Sequence, residues 1–122
     1  MVLDEESYFA VAFEDSQHGW VAGLGGEIVY TTDGGATWRQ ASGDSRPSLF
    51  AISGAWPNLW FGGKRGALLE NAADGSWRNA QISFGDITDI SFAESNGIAV
   101  GLGGTILLTA DGGNTWHSVG AE

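Results

Sequence analysis

Asp33 and Asp111 stand at the same place in two nearly identical octapeptides, TTDGGATW at residues 31–38 and TADGGNTW at residues 109–116. A carboxylate in a glycine-rich turn can accept backbone N–H groups of that turn, bind a cation, or act as an acid or base. Calcium loops carry oxygen ligands at dense spacing, and these octapeptides do not. We therefore expect the two aspartates to shape their turns, with no catalytic role, no metal ion and no cofactor.

The other residues of the octapeptides suit the same structural role. Glycine supplies positive φ angles, a threonine hydroxyl bonds locally, and a tryptophan ring can be buried between two sheets. The predicted structural residues are Thr31, Asp33, Gly35, Thr37, Trp38, Thr109, Asp111, Gly113, Thr115 and Trp116, with Trp77 at the corresponding place between them.

The basic side chains are few and clustered in the middle of the chain. Arg46, Lys64 and Arg65 fall in predicted turns of a protein that has only 5 Lys and Arg against 15 Asp and Glu. Such a cluster could bind an anion, a carboxylate or an acidic protein segment; the alternative is ordinary solvated turn charges. Trp56, in GAWPNLW, would anchor a peptide or stack on a sugar if exposed, or pack over a sheet edge if not.

The composition excludes several classes of protein. A formal net charge of −10 repels nucleic acid and anionic membrane surfaces, and the absence of cysteine excludes disulfides, Cys-ligated zinc and thiol nucleophiles. The first residues, MVLDEESYFA, contain three consecutive acids and resemble no signal peptide, and no apolar run approaches membrane-spanning length. From these features we expect a cytoplasmic protein without membrane insertion.

The tryptophans reveal the elements that must position these residues. Trp38, Trp77 and Trp116 follow one another at intervals of 39 residues, and each interval holds alternating apolar stretches cut by turn signals. This pattern predicts an all-β fold of four-stranded antiparallel meanders, which is typical of β-propeller blades; a β-solenoid is the alternative. We predict one domain, residues 1–122, with three blades at about 8–42, 48–81 and 86–120.

The two octapeptides resemble the Asp-box, or BNR repeat, whose pattern is Ser/Thr-x-Asp-x-Gly-x-Thr-Trp, at every defined position. Within that superfamily, GWVAGLGGEIVYTTDGGATW is most similar to the repeats of photosystem II assembly and stability factors and their bacterial relatives. The resemblance implies an all-β propeller with the boxes between third and fourth strands. It also implies an assembly or chaperone-like role toward another protein.

The middle repeat departs from this pattern. Its octapeptide is ENAADGSW at residues 70–77, in which Glu70 replaces the hydroxyl residue, Ala72 the aspartate and Asp74 the glycine. Its second turn reads GGKRG at residues 62–66, where the other repeats have GLGG. Either the repeat has decayed by drift, or a site has been built where it is broken.

Three blades do not close a ring, since closed propellers have about four to eight blades. An open set would leave two apolar sheet faces exposed. Two chains related by a two-fold axis would supply six blades, so we predict a homodimer that closes a six-bladed ring. Blades from another chain, or an open seam, are the alternatives.

The function predicted from these features is a non-catalytic scaffold that binds a protein or peptide. Its binding face would lie opposite the Asp-boxes, with Arg46, Lys64, Arg65 and Trp56 as candidate residues. The turns and connections of that face are residues 23–26, 42–48, 62–66, 80–86 and 101–104. A glycan-binding lectin is the alternative, and a glycoside-processing enzyme a lesser one. A sialidase site is not indicated, because Arg39 and Arg78 are repeat-equivalent and Tyr8 and Tyr30 lie in apolar strands.

Overall fold

The computed structural model describes residues 7–41, 47–55 and 58–119, which form three four-stranded antiparallel sheets with the strands in chain order. Sheet 1 contains β1 (Tyr8–Phe13), β2 (Gly19–Gly23), β3 (Ile28–Thr31) and β4 (Arg39–Gln40). Sheet 2 contains β5 (Leu49–Ala55), β6 (Asn58–Gly63), β7 (Leu68–Asn71) and β8 (Trp77–Asn79). Sheet 3 contains β9 (Ile87–Ala93), β10 (Asn96–Gly101), β11 (Thr105–Thr109) and β12 (His117–Ser118).

In the described part of the chain, the helical residues form only short turns. One 3-10 turn joins the second and third strands of each sheet, at Leu24–Gly26, Lys64–Gly66 and Leu102–Gly104. No helix in these described segments is long and apolar enough to cross a membrane.

The first strands of the sheets are the innermost. β1 contacts β5, and β5 contacts β9, so consecutive sheets pack in chain order around these strands. Each first strand carries one extra residue where its pairing register shifts, namely Phe9, Phe50 and Thr88. The rings of Phe9 and Phe50 lie 5.5 Å apart, so the bulged residues of neighbouring sheets meet. A β-bulge re-aims a side chain in this way by inserting one unpaired residue.

Strand pairing defines equivalent positions in the three sheets. In each sheet one cross-strand row points toward the next sheet in the chain, and we call that side the leading face; the opposite side is the trailing face. The leading-face rows are Trp20–Tyr30–Arg39 in sheet 1, Trp60–Glu70–Arg78 in sheet 2 and Ile98–Leu108–His117 in sheet 3.

The larger of the two buried clusters joins sheets 2 and 3. Trp60 is fully buried, and its ring lies 5.4 Å from that of Trp116 and 6.0 Å from that of Phe92. Leu107 and Ala99 of sheet 3 complete the contact. Each aromatic ring of this size removes about 150–250 Å² from water, so this cluster is a principal source of adhesion between the two sheets.

A second cluster joins sheets 1 and 2. Ala22 and Ile28 from sheet 1 pack against Leu49, Leu59 and Phe61 from sheet 2. The same strand alternation that pairs the sheets therefore also places one apolar face of each sheet against its neighbour.

The two outer faces of the stack have no neighbouring sheet among the described residues. On the trailing face of sheet 1, Val11 is 61% and Phe13 46% exposed, and on the leading face of sheet 3, Ile98 is 47% exposed. By contrast Ile90, which holds the position of Val11 in sheet 3, is only 5% exposed. The exposed rows are thus made of residue types that are buried between the sheets of this chain.

Two equivalent glycines test whether the contact between sheets holds the fold. A methyl group on Gly113 (φ +93°) would fall inside the Trp60 ring, whereas one on Gly35 (φ +99°) would meet only Trp38 at 3.8 Å. Gly35→Ala should cost about 1–2 kcal/mol for the left-handed backbone. Gly113→Ala should cost about 1–3 kcal/mol more for the clash. Urea unfolding of both variants measures the difference, and equal losses would contradict this account of the interface.

Candidate functional site

The turn between β3 and β4 is built around Asp33. Asp33 Oδ1 accepts from Thr31 Oγ1 at 2.7 Å and from the Thr37 N–H at 2.9 Å, while Oδ2 accepts from Thr37 Oγ1 at 2.6 Å. Thr31 Oγ1 in turn accepts the Gly35 N–H at 3.0 Å. Both carboxylate oxygens are therefore used within the turn.

Asp111 has the same arrangement between β11 and β12. Its Oδ1 accepts from Thr109 Oγ1 at 2.8 Å and from the Thr115 N–H at 2.9 Å, and its Oδ2 accepts from Thr115 Oγ1 at 2.7 Å. The hydroxyl groups of Thr37 and Thr115 are the main reason that the pKa of Asp33 and of Asp111 is lowered to about 2. Within the described residues, no group of three or more His, Asp or Glu side chains could hold a metal ion.

The middle turn is shorter than the other two. Asn71 pairs with Leu59 as Thr31 pairs with Gly19, so Asn71 and not Glu70 holds the hydroxyl position, which corrects the alignment expected from the sequence. Asp74 takes over the carboxylate role, since its Oδ1 accepts from the Ser76 N–H at 3.0 Å and from Ser76 Oγ at 2.7 Å. The Ser76 hydroxyl lowers the pKa of Asp74 below its usual value.

The three tryptophans that follow these turns differ in burial. Trp116 is 8% exposed, but Trp38 is only half-buried and Trp77 is 40% exposed, although its ring lies 5.6 Å from that of Phe61. The expectation that Trp38 is buried between sheets is wrong for the single chain. Its ring belongs to the trailing side of sheet 1, which has no neighbouring sheet in the part of the chain that the structure describes.

Glu70 and Arg78 form a connection between sheets that sequence reasoning missed. Glu70 is 8% exposed, and its Oε1 accepts from Arg78 Nε at 3.0 Å while its Oε2 accepts from Asn58 Nδ2 at 2.8 Å. Arg78 Nη2 also donates to the carbonyl of Gly113 at 2.6 Å, and the guanidinium lies 5.5 Å from the centre of the Trp60 ring. A glutamate in an apolar strand, with an arginine opposite, was the available signal.

The basic turn between β6 and β7 has an unusual backbone. Arg65 adopts φ 60°, in the left-handed region, where the equivalent residues of the other turns are Gly25 and Gly103. Its N–H donates to Asp86 Oδ1 at 2.8 Å, and its carbonyl accepts from Gln81 Nε2 at 2.6 Å. A non-glycine residue in this conformation is strained, and such strain is concentrated at functional sites.

The side chains of Lys64 and Arg65 are exposed, and neither forms an ion pair with a carboxylate of the described residues. This is notable because acids outnumber bases three to one in the chain, 15 against 5. The described residues therefore present two adjacent cations on one turn that none of their carboxylates neutralises.

Phe84 lies beside this turn and is 83% exposed. Its segment is held closely on both sides: a methyl group on Gly66 would clash with the Ser83 carbonyl, and one on Gly85 would clash with the Leu102 carbonyl. The ring is thus displayed by a fixed backbone and not by a loose loop.

The two cations and Phe84 share one surface depression, which we call the basic groove. It has a volume of about 390 Å³, and its lining includes Lys64, Arg65, Asn79, Gln81, Phe84 and Pro47. Sequence reasoning named Lys64 and Arg65 but missed Phe84, because nothing in an isolated aromatic residue between two strands signals exposure. Arg46 and Trp56, the other two candidates, lie outside the described residues.

Comparison with known proteins gives a family match. Residues 2–83, more than half of the chain, match the family model described as "Photosynthesis system II assembly factor YCF48". A curated relative, the photosystem II assembly lipoprotein Ycf48 of Synechocystis sp., is 43% identical over 58 residues, which are 43% of this chain and 17% of that protein.

Solved structures show the same fold. A structure of YCF48 bound to D1 peptide matches 93% of this chain and 40% of its own, with a TM-score of 0.80 and 21% identity. YCF48 from Cyanidioschyzon merolae matches 100% and 39%, with a TM-score of 0.78 and 24% identity. The WD40 β-propeller domain of Doa1 matches 85% and 38%, with a TM-score of 0.68 and 15% identity. The chain thus has the fold of propeller blades and spans about two fifths of these chains.

The comparisons decide two further predictions. The prediction that the protein is not an enzyme is confirmed, since the matching family is described as an assembly factor and the curated relative as an assembly lipoprotein. The prediction of a cytoplasmic location is wrong, because the curated relative is a lipoprotein, a class of protein that is anchored to a membrane by lipid. That prediction relied on the first ten residues of the sequence. The curated relative is much longer than this chain, so these residues carry no information about the leader of that protein.

The carboxylates of the turns predict how stability depends on pH. Folding lowers the pKa of Asp33 and Asp111 from 3.8 to about 2, so their contribution is complete above about pH 4 and is lost as the pH falls toward 2. Thermal unfolding midpoints measured from pH 6 to pH 2 should fall mainly below pH 4. The double variant Asp33→Asn/Asp111→Asn should begin less stable and show a shallower fall; an unchanged slope would contradict the assignment.

Proposed function

The chain belongs to the family of the photosystem II assembly factor YCF48, and from this premise we propose that it is a non-catalytic scaffold that binds a peptide segment of another protein. The observation that carries the proposal is the basic groove, where a largely exposed ring lies beside two cations that have no carboxylate partner among the residues described. The relative solved with a D1 peptide supports a peptide as the class of ligand.

The chemistry of the groove favours an acidic peptide segment that also carries an apolar side chain. Lys64 and Arg65 would bind carboxylates of the segment, and a guanidinium binds a carboxylate through two parallel hydrogen bonds. The Phe84 ring would pack against the apolar side chain, as aromatic anchors do at the centres of protein interfaces. In a chain of net charge −10 this turn is where such a segment would be repelled least.

The fold prepares this groove before any ligand binds. The Arg65 backbone is held by Asp86 and Gln81, and the Phe84 segment is held between two neighbouring turns. Little backbone entropy would then be lost on binding, which favours affinity. The groove lies on the end of the stack that carries the 3-10 turns, which is the face we propose for binding.

We also propose that two chains complete a six-bladed ring. The support is the pair of open apolar faces at the ends of the stack and the three sheets that each chain supplies. The glycan alternative has no supporting observation in the described residues, and its main candidate, Trp56, is not among them.

Peptide binding at the basic groove can be tested by fluorescence anisotropy with labelled overlapping peptides of D1. We expect saturable binding of at least one acidic peptide, weakened at least fivefold by Arg65→Gly and by Phe84→Ala. Arg65→Gly is the sharper variant, because Gly25 and Gly103 adopt the same backbone and the fold should change in stability by less than about 1 kcal/mol.

Arg39→Gln is the matched control for this experiment. It also removes one exposed positive charge, but from β4, away from the basic groove. Equal weakening by Arg39→Gln would indicate a general charge effect, and unchanged binding in both groove variants would place the peptide elsewhere. Either result contradicts the proposed site.

The ring predicts the mass of the protein in solution. Multi-angle light scattering over a range of concentrations should give a limiting mass of twice the 12.8 kDa of one chain. A mass of one chain at every concentration would contradict the ring of two copies while leaving the basic groove as proposed.

A further inference from the structure

We propose that the leading face of sheet 3 binds the trailing face of sheet 1 of a second copy of this chain, in the manner in which sheet 2 binds sheet 3. This inference rests on the proposed two-chain ring and names the residues that would close it. The packing between sheets 2 and 3 supplies the template, and the same positions can be followed onto both open faces.

The leading face of sheet 3 is an apolar depression. It encloses about 430 Å³, and its lining includes Ser91, Ala93, Ile98, Leu108, Ala110 and His117. Ile98 and Leu108 stand where sheet 2 has Trp60 and Glu70. Because Ile98 is smaller than Trp60, this face leaves more room for an incoming aromatic ring than the buried face of sheet 2 does.

The trailing face of sheet 1 carries the rings that could enter it. Phe13 lies against Gly19 as Phe92 lies against Gly97, and Trp38 has the position that Trp116 has in sheet 3. Phe92 and Trp116 are the two rings of sheet 3 that pack on Trp60. The chain therefore presents the aromatic rings of this contact on the trailing face of sheet 1 and the depression that could receive them on the leading face of sheet 3.

A hydrogen bond that recurs between consecutive sheets also lacks its partner at the open face of sheet 3. The Gly25 N–H donates to Ser48 Oγ at 3.0 Å, and the Arg65 N–H donates to Asp86 Oδ1 at 2.8 Å. The third equivalent donor is Gly103, for which the described residues supply no such side chain.

The acceptor for that third donor is present at the start of sheet 1. Ser7 accepts the Leu24 N–H on its carbonyl at 2.9 Å, as Ser48 accepts that of Lys64 and Asp86 that of Leu102. Ser7 is exposed, so its hydroxyl in a second copy could accept the Gly103 N–H. Gly104 is likewise exposed, whereas its equivalents Gly26 and Gly66 are buried.

The arginine contact between sheets has a counterpart as well. Arg78 donates to the Gly113 carbonyl, and His117 stands in the position of Arg78. Docking would set the His117 ring opposite the Gly35 carbonyl of the second copy. The box turn that enters carries Gly35 where the turn of sheet 3 carries Gly113, so it presents no side chain at this place.

These points favour a second copy over an unrelated partner, since one chain supplies aromatic rings, a hydroxyl acceptor and a glycine turn at matching positions. One residue opposes the docking. Asp89 lies on the leading face of sheet 3 at the position of Ala51, which is 4% exposed in the packed interface. Bringing the Asp89 carboxylate out of water would weaken association.

Sedimentation velocity of variants of this 122-residue chain tests the interface from both directions. Ile98→Asp should raise the dimer dissociation constant at least tenfold, and Asp89→Ala should lower it at least threefold. Ile82→Asp is the matched control, because Ile82 is also 47% exposed but lies between β8 and β9, away from both open faces. Near-ultraviolet circular dichroism would verify that each variant is folded.

The proposal is supported if the two variants on sheet 3 move the equilibrium in opposite directions and Ile82→Asp leaves it unchanged. It is overturned if the wild-type chain is monomeric throughout, or if Ile98→Asp and Ile82→Asp weaken the dimer equally. Peptide binding measured on monomeric Ile98→Asp separates the two proposals. Binding that persists would support the basic groove independently of the ring, and binding lost only with dimerisation would place the peptide site across the two copies.

Discussion

The seating of Trp116 against Trp60 is the contact on which the rest of the structure depends. A four-stranded meander cannot bury both of its faces alone, so each sheet requires a neighbour. Here Trp116, which follows the box turn of sheet 3, points back toward sheet 2, and the turn itself is fixed by the Asp111 carboxylate. The hydrogen bonds of the turn thus hold the tryptophan in place for packing between sheets. Trp38, which has no preceding sheet among the described residues, marks an interface that is still open.

The middle sheet combines the strongest adhesion with the candidate binding surface. Glu70 and Arg78 join it to sheet 3 at one end, which compensates for a shorter box turn. At the other end Lys64 and Arg65 replace the apolar residue and glycine of the sister turns, and Arg65 accepts a strained backbone. Within the box turn of this repeat, Glu70, Asn71 and Asp74 each form side-chain hydrogen bonds.

Much of the architecture could be predicted from the sequence, because tryptophan and the glycine turns recur at a regular interval and this recurrence indicates repeated sheets. The turn-shaping role of the box aspartates could also be predicted, since their hydrogen bonds are to residues close in sequence. The alignment of the middle turn was not, because a one-residue deletion is visible only through strand pairing, as between Asn71 and Leu59. Nor were the exposure of Phe84 and the half-burial of Trp38, which depend on what lies beside them in space. The cellular location was predicted wrongly, because the repeated sheets carry no information about it.

The most direct test of the account follows Trp38 itself. Fluorine NMR of the chain labelled with 5-fluorotryptophan, with resonances assigned by single Trp→Phe variants, reports the solvent exposure of each ring through the H₂O/D₂O shift. We expect Trp38 to be partly solvent-exposed in dilute protein and to become protected as the concentration rises, while Trp116 is protected throughout. A Trp38 resonance whose solvent exposure is the same at every concentration, or a Trp116 resonance as exposed as that of Trp38, would contradict the claim that Trp38 packs on a second copy as Trp116 packs on sheet 2.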